Sequence, residues 1–261
     1  MTLNIIEKIE DIKKKRNACI LAHNYQSAEI QDIADFTGDS LELSRKAAQT
    51  SADVIVFCGV LFMAETASIL SPDKTVLLPD KTAGCPMADM ITAKQLNELK
   101  EKYPNAVVVS YVNSSADVKA LSDYCCTSSN AVDVVNSIDK EKKIIFVPDK
   151  NLGQVVMEKT GRDLVLWPGY CPTHIFATVE DVKKIIVGTE TWIIHKLKLA
   201  APGIEFIPAS DSFICPNMKK ITLEKVLFSL EDNKYIIKVP QDIAKKARKA
   251  LDKMVAVLPK G

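Results

Sequence analysis

The sequence predicts a parallel α/β protein. Three observations carry that prediction: short apolar runs rich in Val, Ile and Leu recur along all 261 residues, amphipathic stretches separate them, and polar residues gather directly after the runs.

The runs at 18–22, 54–58, 75–78, 106–112, 144–147, 164–167 and 204–207 read as strands. A strand covered by helices on both faces has no solvent side, so its sequence loses the apolar–polar alternation and becomes nearly continuous in β-branched residues. Between them, residues 3–16, 30–37, 41–49, 93–102, 132–138 and 241–254 have helical spacing, the last starting after Pro240, where the ring costs no hydrogen bond.

The residues directly after each strand are more telling. His23-Asn24-Tyr25-Gln26, Pro79-Asp80, Tyr111-Val112-Asn113, Pro148-Asp149, Pro168-Gly169-Tyr170-Cys171 and Pro208-Ala209-Ser210 all stand at predicted strand ends. Open α/β sheets bind ligands outside the carboxyl ends of their strands, so these are candidate site residues. Pro, Asn, Asp and Gly also dominate turns for conformational reasons, and each motif taken singly reads first as a turn former.

An internal repeat is visible. Val76-Leu77-Leu78-Pro79-Asp80-Lys81 echoes Ile145-Phe146-Val147-Pro148-Asp149-Lys150, and the dipeptide Cys-Pro recurs at Cys85, Cys171 and Cys215. Three related units would each offer one cysteine from an equivalent loop, over residues 1–86, 87–171 and 172–261. Cys85 and Cys171 are 86 residues apart but Cys171 and Cys215 only 44, so the third unit is expected to be shortened.

Composition narrows the partners. With 47% hydrophobic and 26% charged residues the chain can bury a core, and 34 basic against 33 acidic residues leave a net charge of +1. That balance provides no field for nucleic acid or an anionic membrane, and a small-molecule partner is expected. Residues 1–16 alternate apolar and charged side chains, and no later run approaches the length of a membrane span, which makes the cytoplasm the expected compartment. Seven cysteines in a reducing compartment point to metal binding or catalysis rather than disulfides.

Three cysteines on three separate loops, with no Cys-x-x-Cys pair, suit a 4Fe-4S cluster with one open iron better than a closed four-ligand zinc site. The alternative is that they are packed thiols, the reading preferred for Cys19 and Cys58 inside apolar strands. Cys125 and Cys126 are adjacent, and since vicinal cysteines rarely ligate one metal, one is expected to be buried and the other to have a local role. His23 and His174 follow strand ends and are candidates for acid–base or binding work, whereas His195, within an apolar stretch with helical character, reads as structural. Lys13-Lys14-Lys15-Arg16 reads as a solvated helix end.

These residues carry a resemblance. Leu21-Ala22-His23-Asn24-Tyr25-Gln26, Gly38-Asp39-Ser40, Phe62-Met63-Ala64-Glu65-Thr66, Gly84-Cys85-Pro86-Met87-Ala88, Tyr111-Val112-Asn113-Ser114, Cys126-Thr127-Ser128-Ser129-Asn130-Ala131, Pro148-Asp149-Lys150-Asn151-Leu152-Gly153, Gly169-Tyr170-Cys171-Pro172-Thr173-His174, Gly188-Thr189-Glu190 and Cys215-Pro216-Asn217-Met218-Lys219-Lys220 together resemble the quinolinate synthase family from one end of the chain to the other. The resemblance implies three Rossmann-like αβα units about a pseudo-threefold axis, with a 4Fe-4S cluster at their centre held by Cys85, Cys171 and Cys215. It implies condensation of iminoaspartate with dihydroxyacetone phosphate to quinolinate, releasing phosphate and water, and a functional link to an L-aspartate oxidase or aspartate dehydrogenase. His23, Ser40, Tyr111, Val112, Asn113 and Ser128 match its substrate-contacting stretches, and Tyr25 and His174 fall in motifs lining the same cavity. Tyr25, Tyr111, His23 and His174 are then the expected catalytic groups, the tyrosines as proton shuttles.

The match is interrupted near 182–185, where the family's His-Pro-Glu-Cys strand and Gly-Ser-Thr-type loop have no counterpart. Two alternatives therefore stand beside the enzyme: a catalytically impaired relative that keeps the cluster as a structural or redox element, and a zinc-stabilised binding protein.

Overall fold

A computed structural model of the chain describes residues 2–173, 186–202 and 205–257. The first unit opens with α1 (Thr2–Lys15) and builds β1 (Ala18–His23), α2 (Ala28–Asp32), β2 (Phe36–Gly38), α3 (Ser40–Gln49), β3 (Val54–Cys58), α4 (Leu61–Leu70) and β4 (Thr75–Leu77). All its strands are parallel, in the order β2-β1-β3-β4. The second unit repeats the plan through α5 (Ala93–Lys102), β5 (Val107–Tyr111), α6 (Ala116–Ala120), β6 (Tyr124–Cys126), α7 (Ala131–Asn136), β7 (Ile144–Val147), α8 (Lys150–Thr160) and β8 (Leu164–Leu166), again parallel, in the order β6-β5-β7-β8. Pairing of His23 with Gly38 in one sheet and of Tyr111 with Cys126 in the other makes β1 and β5 equivalent, and their carboxyl ends face the site.

Beyond these sheets lie a parallel pair, β9 (Ile186–Val187) with β10 (Ile207–Pro208), and the helices α9 (Ile193–Ala200), α10 (Leu223–Asp232) and α11 (Gln241–Ala256). α10 packs on α1 and β3. Residues 235–237 run antiparallel beside β4, exchanging backbone hydrogen bonds between Tyr235 and Leu78 at 3.0 and 3.1 Å. α11 lies across α3 and α4 of the first unit and α6 and β6 of the second. Its buried Ala247, Ala250, Leu251 and Met254 follow the i, i+3, i+4, i+7 spacing of a single apolar stripe, so one helix face joins two units.

Several expectations need correction. The stretch 30–37 is not one helix: α2 stops at Asp32 and Phe36–Gly38 is the edge strand β2. Its three residues are too few to display a strand period, and pairing with β1 decides the matter. The echo of 76–81 in 145–150 is not a structural equivalence, because the first falls on edge strand β4 and the second on interior strand β7, whose counterpart is β3. Cys125 and Cys126 are both fully buried, since alternate side chains of β6 enter opposite, equally covered faces. Cys19 and Cys58 are buried in β1 and β3 as expected. Residue 204 of the last predicted strand lies outside the described residues.

Candidate active site

The carboxyl ends of β1 and β5 meet the loops after β4, β8 and β10 around a cavity of about 180 Å³. Its walls include His23, Tyr25, Ser40, Tyr111, Asn113, Ser128, Cys85, Cys171 and Cys215, nine of the eleven residues singled out from the sequence. Val112 does not line it: its side chain is buried in the core, while its backbone N–H donates to Cys126 O at 2.8 Å. His174 lies outside the described residues.

Local chemistry explains how these groups arrive. Asp39 caps α3, accepting from the N–H groups of Leu41 and Glu42 at 2.8 Å, while Glu42 reaches back to the Asp39 N–H at 2.8 Å. This capping box starts the helix at Ser40, on the cavity wall, where the positive end of the helix dipole favours an anion. Asn130 accepts from the Thr127 N–H at 2.8 Å and donates to Met254 O at 3.0 Å, so the loop holding Ser128 is tied to the end of α11. A Cβ on Gly169 would lie 2.4 Å from Pro148 O; glycine lets the two loops touch, and the Lys150 N–H donates to Gly169 O at 2.8 Å, which brings Asp149 and Cys171 to one cavity.

The electrostatics follow from burial. Desolvation lowers the His23 imidazole to about 4, so it is neutral at physiological pH. Because the Tyr25 N–H donates to His23 Nδ1 at 3.1 Å, the ring proton sits on Nε2. Burial raises both Tyr25 and Tyr111 above the usual phenol range, so each is an un-ionised O–H carrying a proton to give. Asn113 Oδ1 is buried without a hydrogen-bond partner, an acceptor held ready inside the cavity wall.

Two of the three cysteine loops share a design. Cys85 precedes a 3-10 turn at Ala88–Met90 and accepts backbone N–H bonds from Met87 and Ala88; Cys215 precedes one at Met218–Lys220 and accepts from Asn217 and Met218. Burial pushes the Cys85 thiol up to about 12, with Cys171 and Cys215 adding to the shift. Among the described residues, no group of three or more His, Cys, Asp or Glu is close enough for a single metal ion.

A family model described as NadA, quinolinate synthetase A protein, matches residues 7–185 and 176–256. The chain belongs to the quinolinate synthase family. Quinolinate synthase of Geobacter metallireducens is 47% identical, the match covering 97% of this chain and 97% of that protein. Quinolinate synthases of Dehalococcoides mccartyi strain BAV1 and Methanosarcina barkeri are also 47% identical, over 97% of this chain and 98% and 97% of their own lengths. Membership makes the chain an enzyme family member of NAD biosynthesis. The Geobacter alignment runs over 297 positions against 261 residues here, so at least 36 positions (297 less 261) have no counterpart in this chain. The two stretches matched by the family model meet at 176–185.

Outside the cavity the candidates resolve into structural parts. His195 Nε2 pairs with Asp32 at 2.7 Å, joining α9 to α2 at the surface. Asp80 binds Lys225 at 2.5 Å, and partial burial notwithstanding, that contact and Thr82 hold its carboxyl at about 2. Ser210 pairs with Ser212. Lys13 pairs with Glu10 and Asp35 at 2.7 and 3.0 Å, and no described helix is long and apolar enough to cross a membrane. Phe62, Met63 and Thr173 also line the cavity, although nothing in their residue type marked them. The signal that could have found them is membership of the family motifs, Phe62-Met63-Ala64-Glu65-Thr66 for the first two and Gly169-Tyr170-Cys171-Pro172-Thr173-His174 for the third.

Proposed function

We propose that this chain condenses iminoaspartate with dihydroxyacetone phosphate to quinolinate, releasing phosphate and water, with a 4Fe-4S cluster held by Cys85, Cys171 and Cys215. The observation that carries the proposal is the convergence of three cysteines, one from each of three loops, on a cavity whose other walls are His23, Ser40, Tyr111, Asn113 and Ser128. The donor set fits the cluster. Three thiols from three loops lining one cavity are the donor type a four-iron cube takes, and the paired N–H donors at Cys85 and Cys215 would stabilise the negative sulfurs. When bound, the cluster supplies a Lewis-acidic iron with a position left for substrate.

The remaining work falls to the side chains. Ser40 at the start of α3 and Ser128 donate to substrate carboxylates or phosphate, reinforced by the helix dipole. Neutral His23 donates from Nε2 to a carboxylate oxygen. Asn113 Oδ1 accepts an imine N–H or a substrate hydroxyl, which satisfies its buried lone pairs. Tyr25 and Tyr111 hand over and recover protons during imine formation and loss of water; as un-ionised phenols they begin as acids. We assign His174 to the same acid–base set on its sequence motif. An L-aspartate oxidase or aspartate dehydrogenase would supply the unstable imine, and the cytoplasm is the compartment we propose.

The alignment positions without a counterpart favour a second reading, in which the cluster is held but turnover is impaired. Anaerobic reconstitution with iron and sulfide, followed by a quinolinate assay, separates the readings. Cluster with product supports the first, cluster without product the second, and no cluster rejects both.

A further inference from the structure

Glu190 is fully buried, and its carboxylate is shared among three partners. Oε1 accepts the Cys215 N–H at 3.2 Å and binds Lys219 Nζ at 2.8 Å, while Oε2 accepts the Trp192 N–H at 2.9 Å. Lys219 also donates to the backbone carbonyl of Tyr25 and lies over the Trp192 ring, 5.1 Å from its centroid. The residue before Glu190, Thr189, is hydrogen-bonded through its hydroxyl to the Tyr25 hydroxyl. Residues 189–190 therefore hold Tyr25 at both ends, the phenol directly and the carbonyl through Lys219, and the same carboxylate grips the loop that presents Cys215.

We infer that Glu190 and Lys219 form a positioning pair that couples the Cys215 loop to Tyr25, so that order at the cysteine is transmitted to the placement of the tyrosine hydroxyl. The inference rests on the proposed role of Tyr25 as proton carrier only for its effect on turnover; the coupling itself is a property of the chain. A carboxylate buried among one cation and two N–H donors has a single satisfied geometry, since losing a partner leaves a charge in a low-dielectric site. Loosening at Cys215 must therefore be felt at Lys219, and through it at the Tyr25 carbonyl. Lys219 bridges the two, one ammonium bonded at once to the Glu190 carboxylate and to the Tyr25 backbone.

The test is hydrogen exchange in the full chain, before and after anaerobic reconstitution, with steady-state kinetics alongside. Lys219→Met is expected to raise exchange about tenfold or more at 24–27 and at 215–218, with α1 and α11 unchanged. In the reconstituted protein it is expected to lower kcat about a hundredfold with little change in KM, the cost of displacing a reacting group by about an ångström. Lys219→Arg keeps the cation and restores most of both. Glu190→Gln loosens 215–218 and speeds iron loss to a chelator about tenfold. Wild-type exchange at 24–27 in Lys219→Met overturns the coupling whatever the activity. A wild-type chain that makes no quinolinate, yet loosens at both segments in Lys219→Met, rejects the proposed reaction and supports the coupling.

Discussion

The rings of His23 and Tyr25 meet edge to face, centroids 4.4 Å and planes 79° apart, and the Tyr25 N–H donates to His23 Nδ1 at 3.1 Å. One backbone bond thus selects the imidazole tautomer and sets the orientation of the neighbouring phenol.

Protonating His23 would break that bond and place a charge in the core, so stability should depend on it. Burial lowers the folded group from 6.5 to about 4. Between those values the unfolded chain binds a proton that the native chain refuses, so stability falls as pH drops through the window and is fully present above it. The effect amounts to at most about 3 kcal/mol. Urea unfolding of wild type and His23→Asn between about pH 4 and 7 measures it. The variant should show a flatter pH slope, and an unchanged slope would assign the titration elsewhere.

The cysteines should divide sharply. Replacing Cys85, Cys171 or Cys215 with alanine is expected to abolish the visible absorption of anaerobically reconstituted protein. Cys58→Ala, at a fully buried position in β3, should keep the absorption and lose only the packing of a small apolar group, about 1 kcal/mol. Iron content per chain checks both. Retained iron in any of the first three would remove that cysteine from the ligand set.

Tyr25→Phe preserves the ring against His23 and deletes only the hydroxyl that meets Thr189. Loss of general acid–base help is expected to cut kcat about a hundredfold or more while KM and cluster content stay near wild type. Full turnover in this variant would take Tyr25 out of the proton path.

Lys119 is wholly buried at the seam between the first two units. It donates to Ser114 O and lies 5.3 Å from the Phe62 ring centroid, with Glu65 as its nearby counter-charge. Lys119→Met strands the Glu65 carboxylate and should cost about 3 kcal/mol. Adding Glu65→Gln should recover part of the loss. Thermal unfolding of the single and double variants tests it, and additive losses would deny the pairing.

Legibility varied with length and context. Strands β3 and β7 and helix α5 follow the boundaries read from residue pattern, because each is a full apolar run or a complete amphipathic helix between clear stops. β2 and β6 have three residues each and exist because β1 and β5 offer them an edge, a fact local pattern cannot hold. The site was legible as a set of motifs. Two of its supports were not: Glu190 and Lys219 lie in recognisable motifs, yet only the fold places them against Tyr25.

By itself, then, the amino-acid sequence determined the parallel α/β class, the three Cys-Pro loops and most of the polar residues of the cavity. Runs of buried β-branched residues and turn motifs are local properties of a chain, and the ordered family motifs extended them from end to end. Tertiary structure alone decided that α11 joins two units, that both thiols of β6 are buried, and that His23 is neutral with its proton on Nε2. Those outcomes depend on which surfaces exclude water from one another, and that is settled only when residues distant in sequence pack together.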